Sequence, residues 1–133
     1  MTTTITDDTV VKSVAEKMAR AVADCDLDAL RELYTPDACI WNSSDDKEKT
    51  VEESLEFLAA QLSMLTKVRF EDVKLTPTPT GYIDQHYARA VLPTGDELRI
   101  PNILVVTLEG ERVKRIDDYA VAPPAIAAPP EGK

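Results

Sequence analysis

The apolar residues of this chain change period once, at Val68. Before Val68 they recur every three or four residues, as one face of a helix requires. Beyond it they alternate, as a half-buried strand requires. A chain divided in this way, helices first and then consecutive strands joined by short turns, is predicted to be α+β, with helices laid on one face of a mainly antiparallel sheet.

In the helical half, Asp7 or Asp8 caps a first helix whose stripe is Val10, Val11, Val14, Met18, Ala21 and Val22. A second helix is predicted from Asp26, with Leu27, Leu30, Leu33 and Tyr34 on its apolar side and Pro36 as its stop. "ACIWN", Ala38 to Asn42, reads as a short strand, and "SSDDKEK" after it as a polar loop. Thr50 and Glu53 have capping-box spacing ahead of Val51, Leu55, Leu58, Leu62 and Leu65, the third helix. Strands are then expected at Val68 to Thr76, Tyr82 to Leu92, Leu98 to Leu108 and Val113 to Val121. The turns between them fall at "TPTPTG", "PTGD" and "EGE".

With 133 residues the chain has the size of one domain. The reading is an N-terminal arm at 1–8, a single domain at 9–121, and a Pro- and Ala-rich tail at 122–133, extended or disordered. The 24 acidic residues outnumber the 15 basic ones, and no face gathers Lys and Arg, which argues against nucleic acid and anionic membrane as partners. "MTTTITDD" lacks a basic start and an apolar stretch, and no run approaches a membrane span, so a cytoplasmic location is expected. Cys25 and Cys39 each lie in an apolar pattern and are expected to be buried free thiols. With a single histidine there is no ligand set for a metal.

That histidine raises the main question. In "YIDQHYARAVLPTG" an extended chain puts Tyr82, Asp84, His86, Ala88, Ala90 and Leu92 on one face. Folding about Thr94 and Gly95 pairs Leu92 with Leu98 and sets Ala88 opposite Asn102, in a row of Leu98, Ile100, Asn102, Leu104, Val106 and Leu108. Ile116, Asp118 and Ala120 share a face of the last strand, but Val113 joins them only if a bulge intervenes; without it Asp117 takes the place of Asp118. Ile40 and Asn42 likewise share a face. Burying such polar groups without partners costs about 1 to 3 kcal/mol each. They therefore require one another or a wet cavity, and a curved sheet with a polar open end and an apolar bottom is the expected form.

The element order, together with "DLDALRELYTPDACIWN" and "LPTGDELRIPNILVVTLEGERVKRIDDY", resembles the SnoaL-like families of the nuclear transport factor two-like superfamily over roughly residues 9–121. The resemblance implies a cone of three helices on a strongly curved sheet, often dimeric, with an internal pocket. There is partial similarity to limonene epoxide hydrolase at Asn42, at Pro93-Thr94-Gly95 and at Asp118-Tyr119. Ile40, Asp84 and His86 stand where that family has Tyr, Arg and Asp, so its water-activating triad does not carry over. Against ketosteroid isomerase, Met18 and Asn42 replace the Tyr and the general base, and the oxyanion Asp maps near Asn102.

What the resemblance implies is a cofactor-free lyase, isomerase, cyclase or hydrolase acting on a small apolar organic molecule that bears oxygen. His86 would be the acid–base group, with Asp118 or Asp84 as partner, since imidazole titrates near neutrality. Asn42 and Asn102 would hold a substrate oxygen, and Ile40 and Met18 would line the pocket. The alternative is a non-catalytic small-ligand-binding or dimerisation domain on the same fold, with His86 a structural residue whose two nitrogens are satisfied. A homodimer would use the convex face, where Tyr87, Arg89, Ile103 and Val105 fall by parity, and Trp41 faces away from Asn42 toward that surface or packs beneath the helices.

Overall fold

Asp7 accepts a hydrogen bond from the Thr9 N–H and caps α1 (Asp8–Ala23), which buries Val11, Val14, Ala15, Met18 and Ala21. The computed structural model describes residues 4–120; the tail read at 122–133, and Val121 at the end of the last strand, lie outside the described residues. Asp26 caps the short α2 (Leu27–Leu33) through the Ala29 N–H. Tyr34 does not continue that helix as its spacing predicted: it opens β1 (Tyr34–Asn42), and Pro36 lies inside the strand. The residue before a proline is pushed toward extended backbone, which draws Thr35 and Tyr34 out of the helix. Pro36 is tolerated because the pairing of β1 is irregular between Tyr34 and Cys39, so no ladder N–H is missed there.

The stretch read as a loop also differs. Lys47–Lys49 form β2, a short strand antiparallel to β1, with Asn42 opposite Lys47 and Ile40 opposite Lys49. α3 (Val51–Leu62) starts with the expected capping box: the Thr50 N–H donates to Glu53 Oε1 at 2.9 Å and the Glu53 N–H to Thr50 Oγ1 at 3.2 Å. The meander then follows as β3 (Lys67–Thr78), β4 (Gly81–Val91), β5 (Glu97–Glu109) and β6 (Arg112–Ala120). Among the described residues the sheet is six-stranded, in the order β2-β1-β6-β5-β4-β3, with only the β1–β6 pair parallel.

The β4–β5 register is two residues from the expected one: Ala90, not Leu92, faces Leu98, and Asn102 faces His86 in place of Ala88. Leu92 is taken up by the turn, where its N–H donates to the Asp96 carbonyl and its carbonyl accepts from Gly95. An even shift leaves every side chain on its expected face. In β6 the bulge is present: Thr107 faces Arg115 while Leu108 faces Val113, so Val113 and Ile116 both turn inward and Asp118 shares their face. A further bulge in β3, between Glu71 and Lys74, puts Asp72 at φ 52° and lets both Phe70 and Leu75 face the side of Ala88 and Asp84. Bulges bend and twist the strands that carry them.

The main apolar cluster joins α1, α2 and α3 to the inner face of the sheet through Val11, Leu30, Leu55, Tyr82, Val106 and Ile116. A smaller one gathers Ala90 and Ile100 with Met64, Leu65 and Leu98 at the far end of the β4–β5 hairpin. Polarity therefore runs opposite to expectation. Tyr82 and Asp84 lie in the deep part of the molecule, whereas the Leu92 end is only half-buried. The thiol expectation fails for Cys25, which is exposed at φ 53° in the turn between α1 and α2, and Cys39 is half-buried. Among the described residues no helix is long and apolar enough to cross a membrane.

Gly81 marks a point of close backbone approach, because a Cβ there would strike the Val106 carbonyl oxygen on β5. The expected result for Gly81→Ala is a loss of about 1 to 3 kcal/mol in urea unfolding, as overpacking costs. Parent-like stability would show that β4 and β5 are not in this register.

Candidate functional site

Between the helices and the sheet lies a cleft of about 190 Å3, partly open to solvent. Its walls are mostly apolar and draw on both clusters, from Met18, Ile40 and Leu55 to Ile100. The polar groups that reach it are Asn42, Asn102, Asp118 and Tyr34, with Ser43 and Ser44 from the β1–β2 turn and Ser54 and Gln61 from α3.

Asp118 is the centre of this set. The parallel β1–β6 register places it opposite Asn42, and Asn102 stands on its other side, on β5, two residues from Leu104, which pairs with Asp118. Asn102 Nδ2 donates to Asp118 Oδ1 at 2.7 Å, and Asn42 Nδ2 donates to Asp118 Oδ2 at 3.3 Å. Burial pushes the Asp118 carboxyl up from its ordinary value, against the lowering influence of Asn102, His86, Lys49 and Asn42. A carboxyl raised by its surroundings yet still hydrogen-bonded is suited to exchanging a proton with a bound molecule.

Both amides have their direction set by a second contact. Asn102 Nδ2 also donates to the Tyr119 carbonyl at 2.8 Å, and Asn42 Oδ1 accepts from Lys49 Nζ at 3.2 Å. Each amide thus turns an N–H toward Asp118. Tyr34 supplies another polar group in the wall. Its phenol is pushed well above the ordinary range, first by burial and then by the charge of Asp118, so it stays protonated and remains a donor.

His86 and Asp84 lie on the inner face as predicted, and His86 Nδ1 donates to Asp84 Oδ1 at 2.8 Å. Neither lines the cleft. The His86 side chain is 0% exposed, and its Nε2 has no hydrogen-bond partner. The ring of Phe70 lies flat on the imidazole, with centroids 3.8 Å apart and planes at 16°, and Phe70 is itself part of the cleft wall. The β3 bulge opposite His86 brings Phe70 over it. Strand parity places a side chain on a face; it does not say what a neighbouring strand will lay across it.

The other sequence-predicted residues, Asn42, Asn102, Ile40, Met18 and Asp118, all line the cleft. Asp117 points to the opposite face, where it pairs with Arg115 at 3.0 Å. Sequence reasoning missed Tyr34, Phe70 and Lys49. The pre-proline position of Thr35 was the available signal for Tyr34, and the four-residue "SSDD" turn was the signal for the hairpin that carries Lys49. Nothing in the sequence announced the bulge that turns Phe70 inward. Among the described residues no three His, Cys, Asp or Glu side chains converge as a metal site would need.

Compared with known proteins, the sequence matches the family described as the SnoaL-like domain over residues 15–116. No curated protein matches it. Among solved structures it is similar to IdmH, a candidate polyketide cyclase from Streptomyces antibioticus, with a TM-score of 0.74, 17% identity, and 82% of this chain and 90% of that one covered. It is also similar to a protein of ketosteroid isomerase-like fold from Catenulispora acidiphila in complex with trimethylamine (TM-score 0.74, 15% identity, 85% and 88% covered). A third is AclR, a candidate hydroxylase from Streptomyces galilaeus (TM-score 0.75, 14% identity, 86% and 80% covered). At these identities the likeness is one of fold.

Proposed function

The chain belongs to the SnoaL-like domain family, and from that premise we propose that it is a small-molecule enzyme in which Asp118 moves a proton to or from a substrate held in the cleft. The observation that carries the reading is a single raised carboxyl in an apolar cleft, held by two amide donors on the neighbouring strands. The reaction class is proton transfer beside a carbonyl or hydroxyl, as in an isomerase, cyclase or lyase step. Tyr34, kept protonated by its burial, donates to the substrate oxygen while Asp118 takes or returns the proton. Asn42 and Asn102 aim the carboxyl.

The cleft volume limits the substrate. An apolar cavity of roughly 150 Å3 holds one benzene, so the enclosed part of a ligand here, in about 190 Å3, is one substituted ring or an equivalent terpenoid fragment. Larger compounds would have to extend beyond the cleft into solvent. The test is a panel of monocyclic ketones, enones and phenols assayed with the parent and with Asp118→Asn. Turnover by the parent that is lost in a folded variant supports the reading. Equal ligand binding by both proteins with turnover by neither would mean a binding module.

Assembly as a homodimer is part of the same proposal. The convex sheet face presents Ile103, Val105 and Tyr119, each more than a third exposed, beside a Trp41 ring that meets Tyr119 edge-on at 5.0 Å. Contiguous apolar groups on an antiparallel sheet face are a usual seat for a two-fold contact. Sedimentation is expected to give a dimer at micromolar concentration, and Ile103→Lys a monomer; a monomeric parent removes this part of the proposal.

A further inference from the structure

Lys49 is the feature of the site that the proton-transfer reading leaves unused. It sits on β2, opposite Ile40, so its side chain runs along the inner face toward Asn42. That side chain is 9% exposed, an unusual position for an ammonium. Its Nζ donates to Asn42 Oδ1 at 3.2 Å, to Asp45 Oδ1 at 2.9 Å and to the Lys47 carbonyl at 3.4 Å, and it lies 4.2 Å from the centroid of the Phe57 ring. With every donor directed at protein, Lys49 is not placed to bind a substrate. It is placed to hold Asn42.

We propose that Lys49 is the positioning residue of the site: by donating to the oxygen of the Asn42 amide it turns the NH2 toward Asp118, and so sets how that carboxyl exchanges its proton. An ammonium has donors and no acceptor, so it can meet only the oxygen of the amide. The nitrogen must then point the other way, which is where Asp118 Oδ2 lies. Asn102 needs no such help, because the Tyr119 carbonyl fixes its direction from the other side. Asn42 depends on a movable side chain for its orientation, and the β1–β2 hairpin brings that side chain in.

The groups facing Asp118 are few. Lys49 acts from β2, His86 from β4 and the Tyr34 phenol from β1. The parts of α1, α3, β3 and β5 that line the cleft contribute no other ionisable side chain. Removing Lys49 therefore withdraws a nearby positive charge and frees the Asn42 amide to rotate, and both changes favour the protonated carboxyl. The role in turnover rests on the reading of Asp118 as the proton-transfer group; the effect on its titration does not.

The test is the carboxyl 13C titration of Asp118 by NMR in the full chain, without substrate, in the parent, Lys49→Met and Lys49→Arg. In Lys49→Met the Asp118 pKa is expected to move upward by about one pH unit, as loss of a near cation and a donor produces. Lys49→Arg, which keeps a cation and a donor for Asn42 Oδ1, is expected to titrate like the parent. Lys49→Leu, which likewise has neither charge nor donor, is the second variant should Met not fold, with the same upward displacement expected. A parent-like titration in Lys49→Met, or in Lys49→Leu in its place, overturns the proposal. Full turnover in Asp118→Asn would instead sink the functional reading and leave the titration result standing.

Discussion

Asp118→Asn is expected to lower turnover by about 100- to 10,000-fold, the usual contribution of a positioned general acid or base, with little change in KM. Asparagine keeps the shape of the side chain and cannot carry the proton. The local hydrogen bonding adds a second effect. Asn102 and Asn42 both present N–H groups to residue 118, fixed there by the Tyr119 carbonyl and by Lys49. A carboxylate accepts from both. An amide accepts from one and meets the other donor to donor.

The same variant should change how stability depends on pH. The folded carboxyl lies above its ordinary value of 3.8, because burial disfavours the charge. The native state therefore holds the proton over a window that opens at about that value, where the unfolded chain has released it, and stability falls as pH rises from there through the raised folded pKa. Asp118→Asn has no proton to lose and should not show this fall. Thermal unfolding of both proteins from acid to neutral pH checks the sign; parallel profiles would mean that Asp118 is as well solvated in the folded state as in the unfolded one.

Asp84→Ala is expected to destabilise the fold by about 3 kcal/mol, the upper end of the usual cost of leaving a buried hydrogen-bonding group without its partner. The pair is almost fully enclosed: the His86 side chain is 0% exposed and that of Asp84 3%. His86 Nε2 already lacks a partner, so without Asp84 both ring nitrogens would be unsatisfied beneath Phe70. Asp84→Asn retains an oxygen to accept from Nδ1–H and should lose clearly less. Urea unfolding of the two variants decides the matter. Equal, small losses would show that water reaches the imidazole and that Phe70 does not seal it.

Much of this fold is legible in local chemistry. The capping box at Thr50 and Glu53, the leucine repeat of α3 and the alternation beyond Val68 are each satisfied by contacts a few residues apart or by the choice of a face, so the order of helices and meander strands follows from them. The inward set of β4 and β5 survived an error of two residues in register for the same reason: side-chain direction has a period of two. Val113 and Ile116 could share a face only through a bulge in β6, which the sequence left open; the structure supplies it, and with it the inward turn of Asp118.

The site itself depended on contacts between strands distant in sequence. Asn42 and Asp118 are 76 residues apart and meet only because β1 runs parallel beside β6. Whether His86 faces a ligand or lies behind a wall was decided on β3, where a bulge with no local signature carried Phe70 across the imidazole. Lys49 joined the site because a stretch with the composition of a solvated loop folded back on β1. By itself the sequence determined which faces are apolar and which polar groups share them, since those depend on chain period and burial. Only the tertiary structure decided which of those groups touch one another, because bulges, strand order and hairpin closure move side chains by several ångströms without altering the pattern that produced them.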